Sequence, residues 1–241
     1  MALFHRRDRI PYEDPLSLVF RAFRKLYNIW VNATYPFASR GRDLWIHYTC
    51  ELDRSTAHRI RLGNRVRLRD DTRLQVLAPP EEKGEPVIVI DDSIGIGPRA
   101  TIAAKNYIHL ERDVVCGQSV LIMDHSHAHE DVTTPIKRQG PTEGGRIRIG
   151  QGCFIGHGAA ILCDKGELVL GRNCVVAANA LITRSFPPYC LIAGNPARVV
   201  QHFDPVQRVW VLGDADAART VSIPIKMTAC RTPSCRKGQG L

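Results

Sequence analysis

The sequence predicts an all-β-dominated chain wound as a parallel β-helix, with a helical extension before it and a short helix or tail after it. Three observations carry this. Aliphatic residues recur at every sixth position from Ile90 through Ile96, Ile102, Ile108, Val114 and Val120. The same beat returns at Ile149, Ile155 and Ile161 and at Leu170, Val176 and Ile182, with a weaker prelude at Leu62, Leu68 and Leu74. The aliphatic is often followed by glycine, as in Ile96-Gly97, Ile155-Gly156 and Leu170-Gly171. A period of six matches neither the 3.6 of a helix nor the 2 of a lone strand, so it marks a repeat architecture. A very short strand followed by a bend accounts for it, because Gly, Asn and Asp tolerate the positive φ of such bends. The six-spaced side chains then point inward and stack, coil on coil, at roughly the 4.8 Å spacing of neighbouring strands. Each coil is buried only by its neighbours, so stability is local along the axis.

The elements follow in order. Met1–Asp14 reads as loosely packed chain. Pro15–Val31 has helical periodicity, gathering Leu16, Val19, Phe20, Phe23, Tyr27 and Trp30 on one side and Arg21, Arg24 and Lys25 opposite or beside them. Two readings stand for this segment. It caps the end of the β-helix, as any solenoid requires, or it rests as a basic amphipathic helix on an anionic membrane. Trp45–Tyr48 suggests a strand entering the first coil. Arg54–Arg73 is rich in arginine alternating with aliphatics, and Pro79–Pro86 is a polar loop between coils. Ser126–Arg148 is the major excursion, and a loop of this length inside a compact repeat is uncommon without a function. After Val200 the beat stops. Asp204–Ala218 reads as a short helix and Ile223–Leu241 as a basic tail. The organisation expected is an extension over 1–59, a β-helix over 60–200 with its excursion at 126–148, and a C-terminal extension over 201–241.

The 241 residues suit one domain, and a net charge of +9 suits anionic partners: phosphates, anionic lipid or acidic glycans. Nucleic acid has only that charge behind it and is not expected as a partner. Of eight cysteines, Cys116, Cys153, Cys163, Cys174 and Cys190 lie in or beside repeat units and read as small fillers in a reducing compartment. Cys230 and Cys235 have no second pair beside them, so no metal site is expected. The opening MALFHRRDRIPYEDP lacks an apolar leader core, and no apolar run is long enough to span a bilayer. A cytoplasmic location, at most peripheral to the inner face of the membrane, is the expectation.

The isoleucine–glycine hexads resemble those of the hexapeptide-repeat acyltransferases over about residues 60–200. The most specific piece is AGNPARVV, Ala193–Val200, preceded by Thr183-Arg184 and Pro187-Pro188. That closing segment resembles the one ending the sugar O-acetyltransferase branch. The resemblance implies a left-handed helix of triangular section, a homotrimer, acetyl-CoA as donor and a hydroxyl of a sugar or glycan in surface-polysaccharide synthesis as acceptor.

Chemistry concentrates in MDHSHAHED, Met123–Asp131. In extended chain, His125, His127 and His129 face one way. Acyl transfer from a thioester to a hydroxyl needs a base near neutrality, an orienting partner for it and donors for the oxyanion. Counting five residues from Ile122, the resemblance implies His127 as base, with His125 second; Asp124 is the candidate orienting carboxylate. It further implies donor contacts from His157, Ala178, Thr183, Arg184 and Arg198, with Arg184 standing where relatives often have lysine. Two departures bear on the acceptor: Phe154 replaces a frequent tryptophan, and Gly97 replaces a frequent asparagine. Two other classes remain open. One is a β-helix metalloenzyme resembling the γ-class carbonic anhydrases, using His127, His109 and His157 across a subunit boundary; the other is a non-catalytic scaffold.

Overall fold

Three parallel sheets form the sides of a triangular prism. A computed structural model describes residues 15–77 and 84–213. The first sheet stacks Ser39–Arg40, Ile60–Leu62, Ile88–Ile90, Tyr107–Leu110, Gly144–Ile149 and Lys165–Leu170. The second stacks Trp45–Ile46, Arg67–Leu68, Gly95–Ile96, Val115–Cys116, Phe154–Ile155 and Val175–Val176 before Cys190–Gly194. The third stacks Glu51–Leu52, Arg73–Val76, Thr101–Ala104, Leu121–Met123, Ala160–Leu162 and Leu181–Ile182. Every pairing within these stacks is parallel. The coil thus begins at Ser39, well before residue 60, and Trp45–Ile46 is the second side of the first turn.

The core is the column of hexad aliphatics: Ile90, Ile96, Ile102, Ile149, Ile155, Ile161, Leu170, Val176 and Ile182 are all buried. The beat of six holds along two sides of the prism only. From the first sheet to the second, and from the second to the third, the inward residues are six apart (90, 96, 102). The step back to the first sheet is longer, eight positions from Ile102 to Leu110, because Leu110 and not Ile108 stacks on Ile90. Ile108 stacks on Ile88 instead. The run Ile90–Val120 therefore changes phase at Lys105-Asn106, and it escapes notice in the sequence because Ile108, Leu110, Val114 and Cys116 are all buried.

Two corners of the prism are tight. Just ahead of the second-sheet strands the chain takes a left-handed residue at Arg65 (φ 56°), Ser93 (62°), Asp113 (61°) and Asn173 (55°). Ahead of the third-sheet strands it does so at Asp71, Arg99, Ser119 and Asn179. Such residues cost on the order of 1 kcal/mol each outside glycine, and they recur because the bend admits no other conformation. Among the described residues the third corner carries the insertions: Asp53–Arg59, Lys105-Asn106, Asp124–Glu143 and Cys163-Asp164. The polar loop expected over 79–86 lies for the most part outside the described residues.

The ends differ from expectation. No helix forms over the described part of 204–218. Ala197–Asp204 and Val209–Leu212 instead fold as an antiparallel hairpin on the edge of the second sheet. The alternation of β-branched and aromatic residues around a turn at Pro205–Arg208 explains it; residues 214–218 and the tail beyond lie outside the described residues. Helix α1 (Pro15–Thr34) does pack on the first coil. It does so through buried Asn28 and Val31, with Asn28 Oδ1 accepting the Ile46 N–H at 2.6 Å, while Val19, Phe20, Phe23 and Trp30 remain exposed.

Candidate active site

The excursion at the third corner is an ordered structure. Its two limbs zip together: Ser126 N–H reaches Thr142 Oγ1 at 2.9 Å, Thr142 N–H reaches Ser126 O at 2.8 Å, and Ala128 N–H reaches Gly140 O at 2.9 Å. His127 pairs with Pro141 in an antiparallel bridge. At the tip, Gln139 donates to Asp131 O and Thr134 O, and a short turn of helix spans Ile136–Gln139. Asp131 accepts from the Thr133 hydroxyl, and this bond with that of Thr134 holds its carboxyl down to about 2.

Asp124 is the residue that joins loop to prism. It is fully buried. Its Oδ1 accepts the Lys105 N–H at 2.7 Å, and its Oδ2 accepts the N–H groups of Asn106 and Tyr107, both at 2.8 Å. The Gly145 N–H closes on its carbonyl at 2.6 Å. The two extra residues of the long corner, Lys105 and Asn106, also reach the returning limb, Lys105 Nζ to Thr142 O and Asn106 Nδ2 to Glu143 O. This role of 105–107 was not read from the sequence, where the phase change at that point is masked by the burial of both Ile108 and Leu110.

The same carboxylate takes His125. Nδ1 of His125 stands 2.9 Å from Asp124 Oδ1, and the ring is 12% exposed. A carboxylate only accepts, so Nδ1 is the donor and the lone pair faces outward on Nε2. His127 and His129 are exposed; the His129 ring turns back to the His127 carbonyl at 3.2 Å. The three imidazoles do not line one face, because the strand ends at Met123 and the chain turns into the loop.

Four of the remaining candidates fall on two edges that border the third sheet. His157 and Ala178 occupy successive turns of one tight corner, joined by the Asn179 N–H to the His157 carbonyl, and both are exposed. Thr183 and Arg184 are exposed at the long corner, on the same edge as His125 but two coils further on. At roughly 4.8 Å per coil that is about 10 Å along the axis. The Arg184 guanidinium lies 5.1 Å over the Phe186 ring. Arg198 is exposed on the terminal hairpin and bonds the Ala197 carbonyl. Within one chain the structure brings Asp124 and His125 together and leaves the donor candidates on the surrounding edges.

Gly97 has a structural cause. A Cβ there would meet the Gly117 carbonyl group at 2.5 Å, so asparagine does not fit the coil stack. Phe154 stands outward and exposed, in register between Val115 and Val175. The cysteines are set in the stack: burial pushes the Cys116 thiol up to about 12 and Cys190 to about 11. His109 is engaged by Asp91, Nε2 to Oδ2 at 3.0 Å. Among the described residues no group of three or more His, Cys, Asp or Glu is placed to hold a metal ion.

No family model matches the chain. It is 32% identical over 118 residues to a probable acetyltransferase of Mycobacterium tuberculosis, spanning 46% of this chain and 38% of that protein. It is 25% identical over 133 residues to the putative lipopolysaccharide biosynthesis O-acetyl transferase WbbJ of Escherichia coli, spanning 53% and 66%. The chain thus spans between 38% and 66% of the length of these curated relatives. Among solved structures it is similar to AntD, an N-acyltransferase from Bacillus cereus in complex with dTDP and coenzyme A. The TM-score is 0.59 at 15% identity, covering 75% of this chain and 90% of that one. That likeness shows the fold. The fold is that of a left-handed parallel β-helix, and the proteins similar in sequence are named acetyltransferases.

Proposed function

We propose that this protein is an acetyl-CoA-dependent O-acetyltransferase acting on a hydroxyl of a sugar or glycan intermediate of surface-polysaccharide or lipid-linked saccharide synthesis. The observation that carries the reading is the buried Asp124 carboxylate fixing His125 Nδ1 at 2.9 Å beside the long-corner loop. His125 Nε2 accepts the proton of the acceptor hydroxyl as its oxygen attacks the thioester carbonyl. The tetrahedral oxyanion collapses with loss of the coenzyme A thiolate, and the imidazolium returns its proton to that sulfur. No covalent acyl-enzyme is required, and the high thiol pKa of buried Cys116 disfavours one through that residue.

This reading moves the base from His127, which the resemblance implied, to His125. His127 presents an exposed ring from a strap held by Pro141, and its role here is to line the acceptor approach. The donor lies along the third sheet between two copies of the chain, with His157 and Ala178 on one edge and Thr183, Arg184 and Arg198 supplying contacts and cations for its phosphates. The names of the relatives support the acyl donor and the saccharide acceptor. A homotrimer fits the outward ladder of exposed Val115 and Phe154 on the second sheet, an apolar strip suited to contact between copies.

The test is a panel of sugars, nucleotide sugars and saccharide acceptors incubated with acetyl-CoA, following free thiol release and product mass. The reading expects one acceptor class to gain an acetyl ester with stoichiometric thiol. Thiol release without an acetylated product, or no coenzyme A binding by calorimetry, contradicts it.

A further inference from the structure

Helix α1 wears its amphipathicity inside out. At 100° per residue, Arg24, Asn28 and Val31 share the side that meets the first coil, where Asn28 and Val31 are buried. The opposite side carries Val19, Leu26 and Ile29, exposed by 64%, 66% and 57%. Leu18, 52% exposed, widens this face, while Phe23 and Trp30 at its far border are half exposed and pack edge-on against Tyr48 and Tyr35. A patch of that breadth on a soluble protein marks an interaction surface. Its border is one-signed. Lys25 flanks the face with Arg21 beside it, Arg24 lies on the coil-facing side, and the helix contains no Asp or Glu.

That charge decides the occupant. A second copy would bring an identical helix, and isologous pairing would set these cations against their like. An anionic lipid surface complements both features, taking the apolar side chains below its headgroups and the cations at them. No helix among the described residues is long and apolar enough to cross a membrane, so α1 would lie in the plane of the interface.

We propose that α1 docks the protein peripherally on an anionic lipid surface, with Val19, Leu26 and Ile29 at the centre of the inserted face and Lys25 at its edge. This inference does not rest on the acetyl-transfer reading; it concerns where the protein works, not what it transfers.

The experiment is flotation of the full chain with vesicles of phosphatidylcholine alone or mixed with phosphatidylglycerol, at low and high salt. The protein is expected to float with the mixed vesicles and to release as salt rises. Leu26→Glu/Ile29→Glu should abolish flotation, and Lys25→Gln should lower the vesicle affinity, read from the lipid concentration at half binding, roughly fivefold, the equivalent of one cation near an anionic surface. Circular dichroism and a second pair, Leu26→Gln/Ile29→Gln, separate loss of binding from loss of the helix. No flotation of the natural sequence overturns the proposal, as does equal flotation with neutral vesicles at every salt. If the glutamate pair changes only the sedimenting size and no vesicle binds, the face joins copies of the chain and the lipid assignment is wrong.

Discussion

Asp124 Oδ1 lies 2.9 Å from His125 Nδ1 and 2.7 Å from the backbone nitrogen of Lys105. One buried carboxylate therefore closes the long corner of the prism and aims an imidazole. The loop and His125 are coupled through it, so under the proposed function a change at Asp124 is expected to act on stability and on chemistry together.

Asp124→Ala leaves the N–H groups of Lys105, Asn106 and Tyr107 without their acceptor. A buried donor stripped of its partner costs about 1–3 kcal/mol, so a loss of about 3 kcal/mol in unfolding free energy is expected by urea titration. Asp124→Asn keeps an acceptor oxygen and should lose less, while still depriving His125 of its anionic partner. If both variants melt with the natural protein, the carboxylate does not hold the corner.

Gly97→Ala and Gly95→Ala test the coil stack as a pair. A Cβ on Gly97 runs into Gly117 at 2.5 Å, whereas a Cβ on Gly95 meets nothing within 4 Å. The first should destabilise by about 1–3 kcal/mol through forced backbone shift. The second should fall within about 0.5 kcal/mol of the natural protein. Equal effects would mean that coil contact does not set residue choice at 97.

The buried thiols should be inert. Burial raises Cys116 to about 12 and Cys190 to about 11, so at pH 8 almost none of either is thiolate, the form that alkylates. Mass mapping after iodoacetamide treatment of folded protein should show both unmodified. Rapid modification of Cys116 with loss of activity would return cysteine to the list of nucleophiles.

Much of the fold was legible because its core is one-dimensional. Ile90, Ile96 and Ile102 announce a six-residue side, and every one of them is buried. The phase change at Lys105-Asn106 was hidden because Ile108 and Leu110 both point inward, so counting could not tell which stacks on Ile90. The C-terminal hairpin was read as helix although Val209–Leu212 carries three β-branched or aromatic residues, a local signal outweighed by the length of the segment. At the site, DHSH marked the segment but not which of its imidazoles meets a carboxylate. That depends on where the strand ends at Met123 and on contacts with residues 105–107 and 140–142, distant in sequence.

The most direct measurement compares acetyl transfer by His125→Ala and His127→Ala on an acceptor found in the panel, with coenzyme A affinity measured alongside. Removal of a general base typically lowers turnover by roughly 10²–10⁴-fold. The account expects that loss for His125→Ala with donor affinity unchanged, and a smaller loss, expressed mainly in acceptor KM, for His127→Ala. Full activity in His125→Ala together with an inactive His127→Ala would contradict it.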